Sequence, residues 1–231
     1  MNQINWYQAV VDLLQAIIGG VVVGIVIFWL DERRALRERR LSDFRIASNW
    51  FHTEPKVSLR NFDLTKSNLS GYKFFKANLE GAIIANSGLW ATNFIEANLI
   101  HADFRKSRFV GAKLTKAKAN GADFSKAIIT KRSDPDYEYL PEFSNATLKG
   151  AKFIGTQLNG VVMREANLRG TDFSKATVLG CDFTEADLTD SNWKKVKRVE
   201  NCIWKNVKGH KQQNFSPALW EEIQNQNAEQ T

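Results

Sequence analysis

A chain of 231 residues has room for one or two domains, and its formal net charge of +7 suits an anionic partner or surface while arguing against an acidic mimic of DNA. Two cysteines, Cys181 and Cys202, are too few for a secreted disulfide scaffold and fit a reduced compartment. The three histidines, His52, His101 and His210, follow no metal-ligand spacing, so no metal or other cofactor is expected.

The chain opens on a short polar segment, residues 1–8, expected outside the cytoplasm. Residues 9–30, AVVDLLQAIIGGVVVGIVIFWL, are almost wholly apolar. As a helix at about 1.5 Å per residue they span roughly 33 Å, enough for a bilayer core of about 30 Å. Trp6 and Tyr7 stand at one end and Trp29 at the other, where interfacial aromatics belong. Residues 1–8 carry no Lys or Arg, so the stretch reads as an uncleaved anchor rather than a signal peptide. Arg33, Arg34, Arg37, Arg39 and Arg40 follow it. The excess of positive charge on that side places the rest of the chain in the cytoplasm, with these arginines at the anionic membrane surface. Asp12, Ala16, Gly20 and Gly24 recur at four-residue steps and form one stripe of the helix, a surface for close approach of a second copy. Residues 31–45 continue as a basic helical stalk.

From Leu59 a large apolar residue returns every five positions: Leu59, Leu64, Leu69, Phe74, Leu79, Ile84, Leu89, Phe94, Leu99, Phe104, Phe109, Leu114, then the small Ala119, Phe124 and Ile129. A small residue stands two before most of them. A second run goes from Phe143 through Leu148, Phe153, Leu158, Met163, Leu168, Phe173, Val178, Phe183 and Leu188 to Trp193, after which the register decays, although Ile203 still falls on it. A period of five fits neither a helix (about 3.6) nor a flat strand (about 2), so the backbone must bend at every unit. Residues two apart share a side of extended chain, so each large–small pair can fill one interior.

Units such as ANLEG, ADFRK, ADFSK, ANLRG and ADLTD resemble the pentapeptide-repeat family over about residues 57–205. The resemblance implies an all-β fold, a right-handed quadrilateral β-helix with four pentapeptides per coil. In it the central Leu or Phe and the small residue point inward, Asn or Asp lies near the corner, and the other two positions face solvent. The domain is drawn as residues 46–205, with an inserted loop at about 130–144 where the phase breaks. Residues 206–231 follow as a cap helix and tail, opened by Ser216-Pro217 as N-cap and first helical residue. Ile46 to Pro55, with Trp50 and Phe51, is expected to cover the N-terminal end.

If four units close a coil, residues 20 apart stack. Phe75 and Ile95 then form one outward apolar column and Trp90 and Val110 another, candidates for a contact surface. Tyr137 and Tyr139 add a contact loop. Lys66, Lys106 and Lys126 stack with Asn86 between them, a ladder that could follow phosphates, but no aromatics interleave with it for base stacking, and nucleic acid is disfavoured. In the loop, Asp134, Asp136 and Glu138 alternate like a calcium-loop fragment that lacks the required Gly and distal Glu. No catalytic motif is present. The leading expectation is therefore a non-enzymatic, single-pass membrane-tethered scaffold that binds an unidentified protein. The alternatives are a membrane effector that self-associates through its helix, and a topoisomerase-interacting DNA mimic, a role that the family resemblance implies and that the basic charge and the anchor disfavour.

Overall fold

The computed structural model describes residues 6–52, 56–135, 137–209 and 211–228, without the side chains of residues 6–14, 16–19, 212 and 227–228. The chain divides into two compact units, Met1–Ser42 and Asp43–Thr231. Helix α1 runs over Trp6–Asn49, so the expected stalk is helical and the helix continues to the start of the N-terminal cover. Arg34 donates to Glu38 one turn on, at 3.1 Å. Among the described residues no helix is long and apolar enough to cross a membrane. Only Gln15 and residues 20–30 of the apolar stretch have described side chains, and every one of these is exposed.

The second unit is a β-solenoid of about 6 turns. Its pitch is 20 residues: Gly88, Leu89 and Trp90 (β1, Gly88–Trp90) pair in parallel with Arg108, Phe109 and Val110 (β2, Arg108–Val110). The ladder continues through β3 (Ile128–Thr130), β6 (Gln157–Asn159), β7 (Thr177–Leu179) and β8 (Arg198–Glu200) as a six-stranded sheet. This sheet is one of four sides. The other three are held by isolated parallel bridges such as Asn78↔Asn98, Asp103↔Asp123 and Asn93↔Lys113. Four sides per coil and the inward large–small pairs agree with the five-residue phase.

Most corners are β-turns. The carbonyl of a central residue accepts from the N–H three residues on, as in Ala97 N–H to Phe94 O at 3.0 Å and Ala127 N–H to Phe124 O at 3.0 Å. The residue two after the centre takes a left-handed backbone. Glycine does so at Gly81 and Gly121, but Lys66, Lys106 and Lys126 do as well, with φ near 60°. The lysine ladder is thus a column of corner residues. The left-handed region costs a non-glycine residue about 1–2 kcal/mol, and the turn and inter-coil bonds must offset that. Corner acids brace the same bend: Asp103 Oδ1 accepts from Arg105 N–H at 2.9 Å, and Asp123 Oδ1 from Ser125 N–H at 2.8 Å.

Inside, rings stack in register. On one side Phe104, Phe124, Phe153 and Phe173 lie 4.9–5.0 Å apart at interplanar angles of 4–9°, and Trp193 continues the column at 4.0 Å. That spacing is the inter-strand distance, so the coil pitch itself sets the aromatic stack. Hydroxyls in the small slots turn inward onto backbone: Thr92 Oγ1 donates to Leu69 O at 2.8 Å and Thr156 Oγ1 to Phe124 O at 2.8 Å. A buried hydroxyl is thereby satisfied and ties two coils together.

Three features depart from the sequence reading. The phase break is not an open loop: β4 (Arg132–Ser133) and β5 (Glu138–Tyr139) pair as an antiparallel hairpin. Ile203 is not a core residue. It is 46% exposed, and Trp204 beside it is buried. The cause is one extra residue after Trp193. Lys197 and Arg198 both direct their N–H groups to Ala176 O, at 2.8 and 3.4 Å, as two residues opposing one do in a bulge. Val178 then pairs with Val199, not with residue 198. Finally, Phe51 covers little and is 45% exposed, while Trp50 and Ala47 make the N-terminal cover.

Both ends are closed by groups that imitate a further coil. At the N-terminal end Asp43 Oδ2 accepts from Asp63 N–H at 2.9 Å, the donor a preceding coil would have used. At the C-terminal end helix α2 (Pro217–Ala228) buries Leu219 and Ile223. Its Gln226 accepts from Trp204 N–H at 2.9 Å and donates to Cys202 O at 3.0 Å. One side-chain amide thus takes the place of the next coil's peptide group, leaving fewer unpaired edge groups.

Candidate interaction surfaces

With both ends covered, the lateral sides of the solenoid are the surfaces open to contact. Three of them are charged and laced with ion pairs that span neighbouring coils or one corner. Arg60 pairs with Glu80 at 3.0 Å, Lys76 with Glu96 at 3.6 Å, Arg169 with Asp187 at 3.5 Å and Arg105 with Asp103 at 2.7 Å. Burial alone would push the Asp103 carboxyl up, but hydrogen bonds from the Arg105 side chain and backbone outweigh it and hold the group below its ordinary value. Asp182 is lowered in the same way, against burial, by Thr184 and Arg164.

The six-stranded side is different. The outward positions of its first five strands are Gly88, Trp90, Arg108, Val110, Ile128, Thr130, Gln157, Asn159, Thr177 and Leu179, with no acid among them. Glu200 on β8 is engaged by Arg198. This side is continuous strand where the others are rich in turns, and Trp90, Val110, Ile128, Thr130 and Thr177 among its outer residues are aromatic or β-branched.

The hairpin packs beside this sheet. Tyr139 meets the Trp90 ring edge-on, with centroids 6.5 Å apart, and the Arg132 guanidinium lies 5.6 Å over the same ring. Lys131 Nζ binds Glu138 at 2.6 Å and Arg132 binds Asp134 at 3.0 Å, which fixes the hairpin from within. The close approach needs Gly111. Its φ is +59°, and a Cβ there would stand 2.7 Å from Tyr139 Cβ. Gly111→Ala is expected to lift the hairpin and cost about 1–3 kcal/mol from the left-handed backbone and the clash. A lower melting temperature with faster proteolysis inside residues 132–139 is the expected readout, and unchanged protection of the hairpin would contradict the packing.

The sequence-derived candidates separate accordingly. Trp90 and Val110 do stack and face outward, but Trp90, at 44% exposure, is partly covered by the hairpin. Tyr139 belongs to that cover, whereas Tyr137 at the hairpin tip is 70% exposed. Phe75, 42% exposed, carries Lys76 over its ring at 4.9 Å. Ile95 is half-buried and lines a separate groove of about 410 Å³ with Thr115, Tyr139 and Leu140. Gly20 and Gly24 face open space, and the side chains of Asp12 and Ala16 lie outside the described residues, as do Asp136 and His210. Arg33 lies 3.5 Å over the Trp29 ring at the end of the apolar stretch, and Arg34, Arg37, Arg39 and Arg40 follow on the same helix. What sequence reasoning missed is the lack of outward acids on the first five strands of this side. The signal was present in every fourth pentapeptide but needed strands and corners to be told apart.

Among the described residues no group of three or more His, Cys, Asp or Glu could hold a metal ion. Cys181 and Cys202 are buried in successive coils. Contact with Cys202 and burial push the Cys181 thiol well above its ordinary value.

Comparison with known proteins adds the family. A sequence profile of pentapeptide repeats matches residues 92–130, 142–178 and 166–192, in 8 copies. Curated proteins give no match to the sequence. Among solved structures, HetL, a pentapeptide repeat protein involved in heterocyst differentiation regulation in the cyanobacterium Nostoc, is 22% identical over 65% of this chain and 82% of its own, with a TM-score of 0.27. A pentapeptide repeat protein of the Arabidopsis thaliana thylakoid lumen is 27% identical over 48% of this chain and 68% of its own, with a TM-score of 0.27. QnrB1, a plasmid-mediated fluoroquinolone resistance protein, is 20% identical over 71% of this chain and 84% of its own, with a TM-score of 0.32. The five-residue phase, the 20-residue coil and the matched profile show that this chain carries a solenoid of pentapeptide repeats.

Proposed function

We propose that the chain is a non-enzymatic protein-interaction module tethered to a membrane by residues 9–30, with the solenoid on the cytoplasmic side. The observation that carries the tether is the apolar helix. Val21 to Leu30, apart from Gly24, are large apolar side chains at 47–71% exposure, and each would forfeit roughly 1.5–3 kcal/mol if left in water. Arg33, Arg34, Arg37, Arg39 and Arg40 after the stretch support the cytoplasmic orientation. The interaction role is supported by an end-capped rod whose lateral sides remain open. The net charge of +7 turns the reading away from DNA mimicry.

The test is extraction of membranes with alkaline carbonate. The full chain should stay in the pellet and a chain lacking residues 1–30 should be soluble, whereas release of the full chain would remove the tether. Orientation is read with Lys116→Cys in intact cells. Both native cysteines are buried, so an impermeant maleimide reports the new thiol alone. Labelling before the cells are opened would reverse the topology.

A further inference from the structure

The first five strands of the sheet, which carry no outward acid, supply chemistry for one kind of partner. Trp90, Val110 and Thr130 stack along it, and together with Arg108, Lys131 and Arg132 they line an open groove of about 430 Å³. Trp90 gives the groove an apolar wall that is 44% exposed even with the hairpin in place. Three cations surround it. Lys131 and Arg132 are answered by Glu138 and Asp134 of the hairpin, but Arg108 is exposed and its guanidinium has no ion-pair partner among the described residues. On the other sides several of the cations that follow a central residue meet acids from the adjoining coil, as Arg60 meets Glu80. Here the coil above and the coil below offer only Gly88 and Ile128. A guanidinium beside an exposed indole on a sheet is a favourable seat for a carboxylate next to an apolar side chain.

We infer that this groove docks an acidic segment of a partner protein, with an aliphatic or aromatic residue against Trp90 and a carboxylate on Arg108. A second copy of this chain fits less well, because the first five strands offer no acid to Arg108, and Glu138 and Asp134 beside the groove are already held by Lys131 and Arg132. The inference rests on the interaction-module reading and names the surface and the partner chemistry for it. It does not depend on the tether.

The experiment uses the full chain in neutral detergent and fluorescein-labelled dodecapeptides as probes. One set alternates Asp or Glu with Leu, Phe or Trp. A second replaces the apolar residues by Gly, and a third replaces the acids by Lys. The first set should bind, with affinity falling as salt rises. The Gly set should bind at least about 10-fold more weakly, and the Lys set not at all. Trp90→Ser and Arg108→Glu should each weaken the first set about 10-fold or more. Lys118→Glu, on the opposite side of the coil, should change it by less than about 2-fold. Arg108→Glu should also gain binding to the Lys set, which a misfolded variant could not do.

Absence of binding by the first set would overturn the assignment, as would equal loss with Lys118→Glu, which would mean unspecific charge attraction. So would a dimer on gel filtration that dissociates with Trp90→Ser, which would give the groove to a second copy. Peptide binding lost with Lys113→Glu in the neighbouring groove, but kept with Arg108→Glu, would also overturn it while leaving the interaction-module reading in place. Carbonate extraction is unaffected by any of these outcomes, so the tether stands or falls separately.

Discussion

Replacing Phe124 by alanine is expected to destabilise the solenoid by about 3–5 kcal/mol. The ring has no solvent exposure. It lies between Phe104 and Phe153, each 5.0 Å away and nearly parallel, with Phe109 and Phe143 at 5.8 and 5.9 Å. The alanine leaves a cavity that the coil cannot close, because the spacing of the layers is set by backbone bonds such as Phe124 N–H to Lys152 O at 2.8 Å. The stacked pairs contribute about 0.5–1.5 kcal/mol each beyond simple burial. Each coil touches only its neighbours, so a break in the middle should also uncouple the two halves. The urea transition, followed by circular dichroism, should therefore move to lower denaturant and broaden. Arg105→Ala is the control. Arg105 binds both oxygens of Asp103, at 2.9 and 2.7 Å, but its side chain is 58% exposed, so its loss should cost under about 1 kcal/mol. Equal shifts for the two variants would refute the assignment of inward and outward positions.

The inward positions were legible because the large–small pair repeats without slipping from Leu59 to Ile129, and the structure buries each of those central residues. Two things hid the rest. The first is local irregularity. The bulge at Lys197–Arg198 shifts the core from Ile203 to Trp204, and both are large apolar residues, so composition cannot choose between them. Pairing with Phe183 does, since its ring stacks on Trp204 at 4.6 Å. The second is backbone conformation. A lysine at 66, 106 or 126 reads as a surface charge, whereas the left-handed corner it occupies follows only from the turn geometry. The hairpin was hidden for a related reason. Its strands are two residues each, too short for any alternation to show, and its docking depends on the absence of a side chain at Gly111. The candidate surface was half legible: the columns Trp90–Val110 and Phe75–Ile95 came from the pitch, but the lack of acids on one side appears only when corners and strands are told apart.

Removing residues 216–231 is expected to convert the C-terminal end into an association surface. In the intact chain Ile223 is fully buried, Leu219 is nearly so, and Phe215 extends the ring stack on Trp193 at 6.0 Å. Without α2 the Trp204 N–H and the Cys202 carbonyl lose Gln226, and the Trp204 indole N–H loses Glu222, which accepts from it at 3.3 Å. Each buried group left unpaired costs about 1–3 kcal/mol, and the bared rings of the last coil add apolar surface at about 25 cal/mol per Å². An open parallel edge above an apolar floor is a template for another edge of the same kind. The truncated chain should therefore elute as a dimer or larger species at concentrations where the full chain does not, and melt at a lower temperature. Gln226→Ala separates the two contributions. It keeps the apolar lid and removes both backbone contacts, so it should lower stability by about 1–3 kcal/mol without association. A truncated chain with the same elution volume and melting temperature as the full chain would mean that α2 does not close the end. Association of Gln226→Ala as strong as that of the truncation would place the whole effect in the amide and none in Leu219 and Ile223.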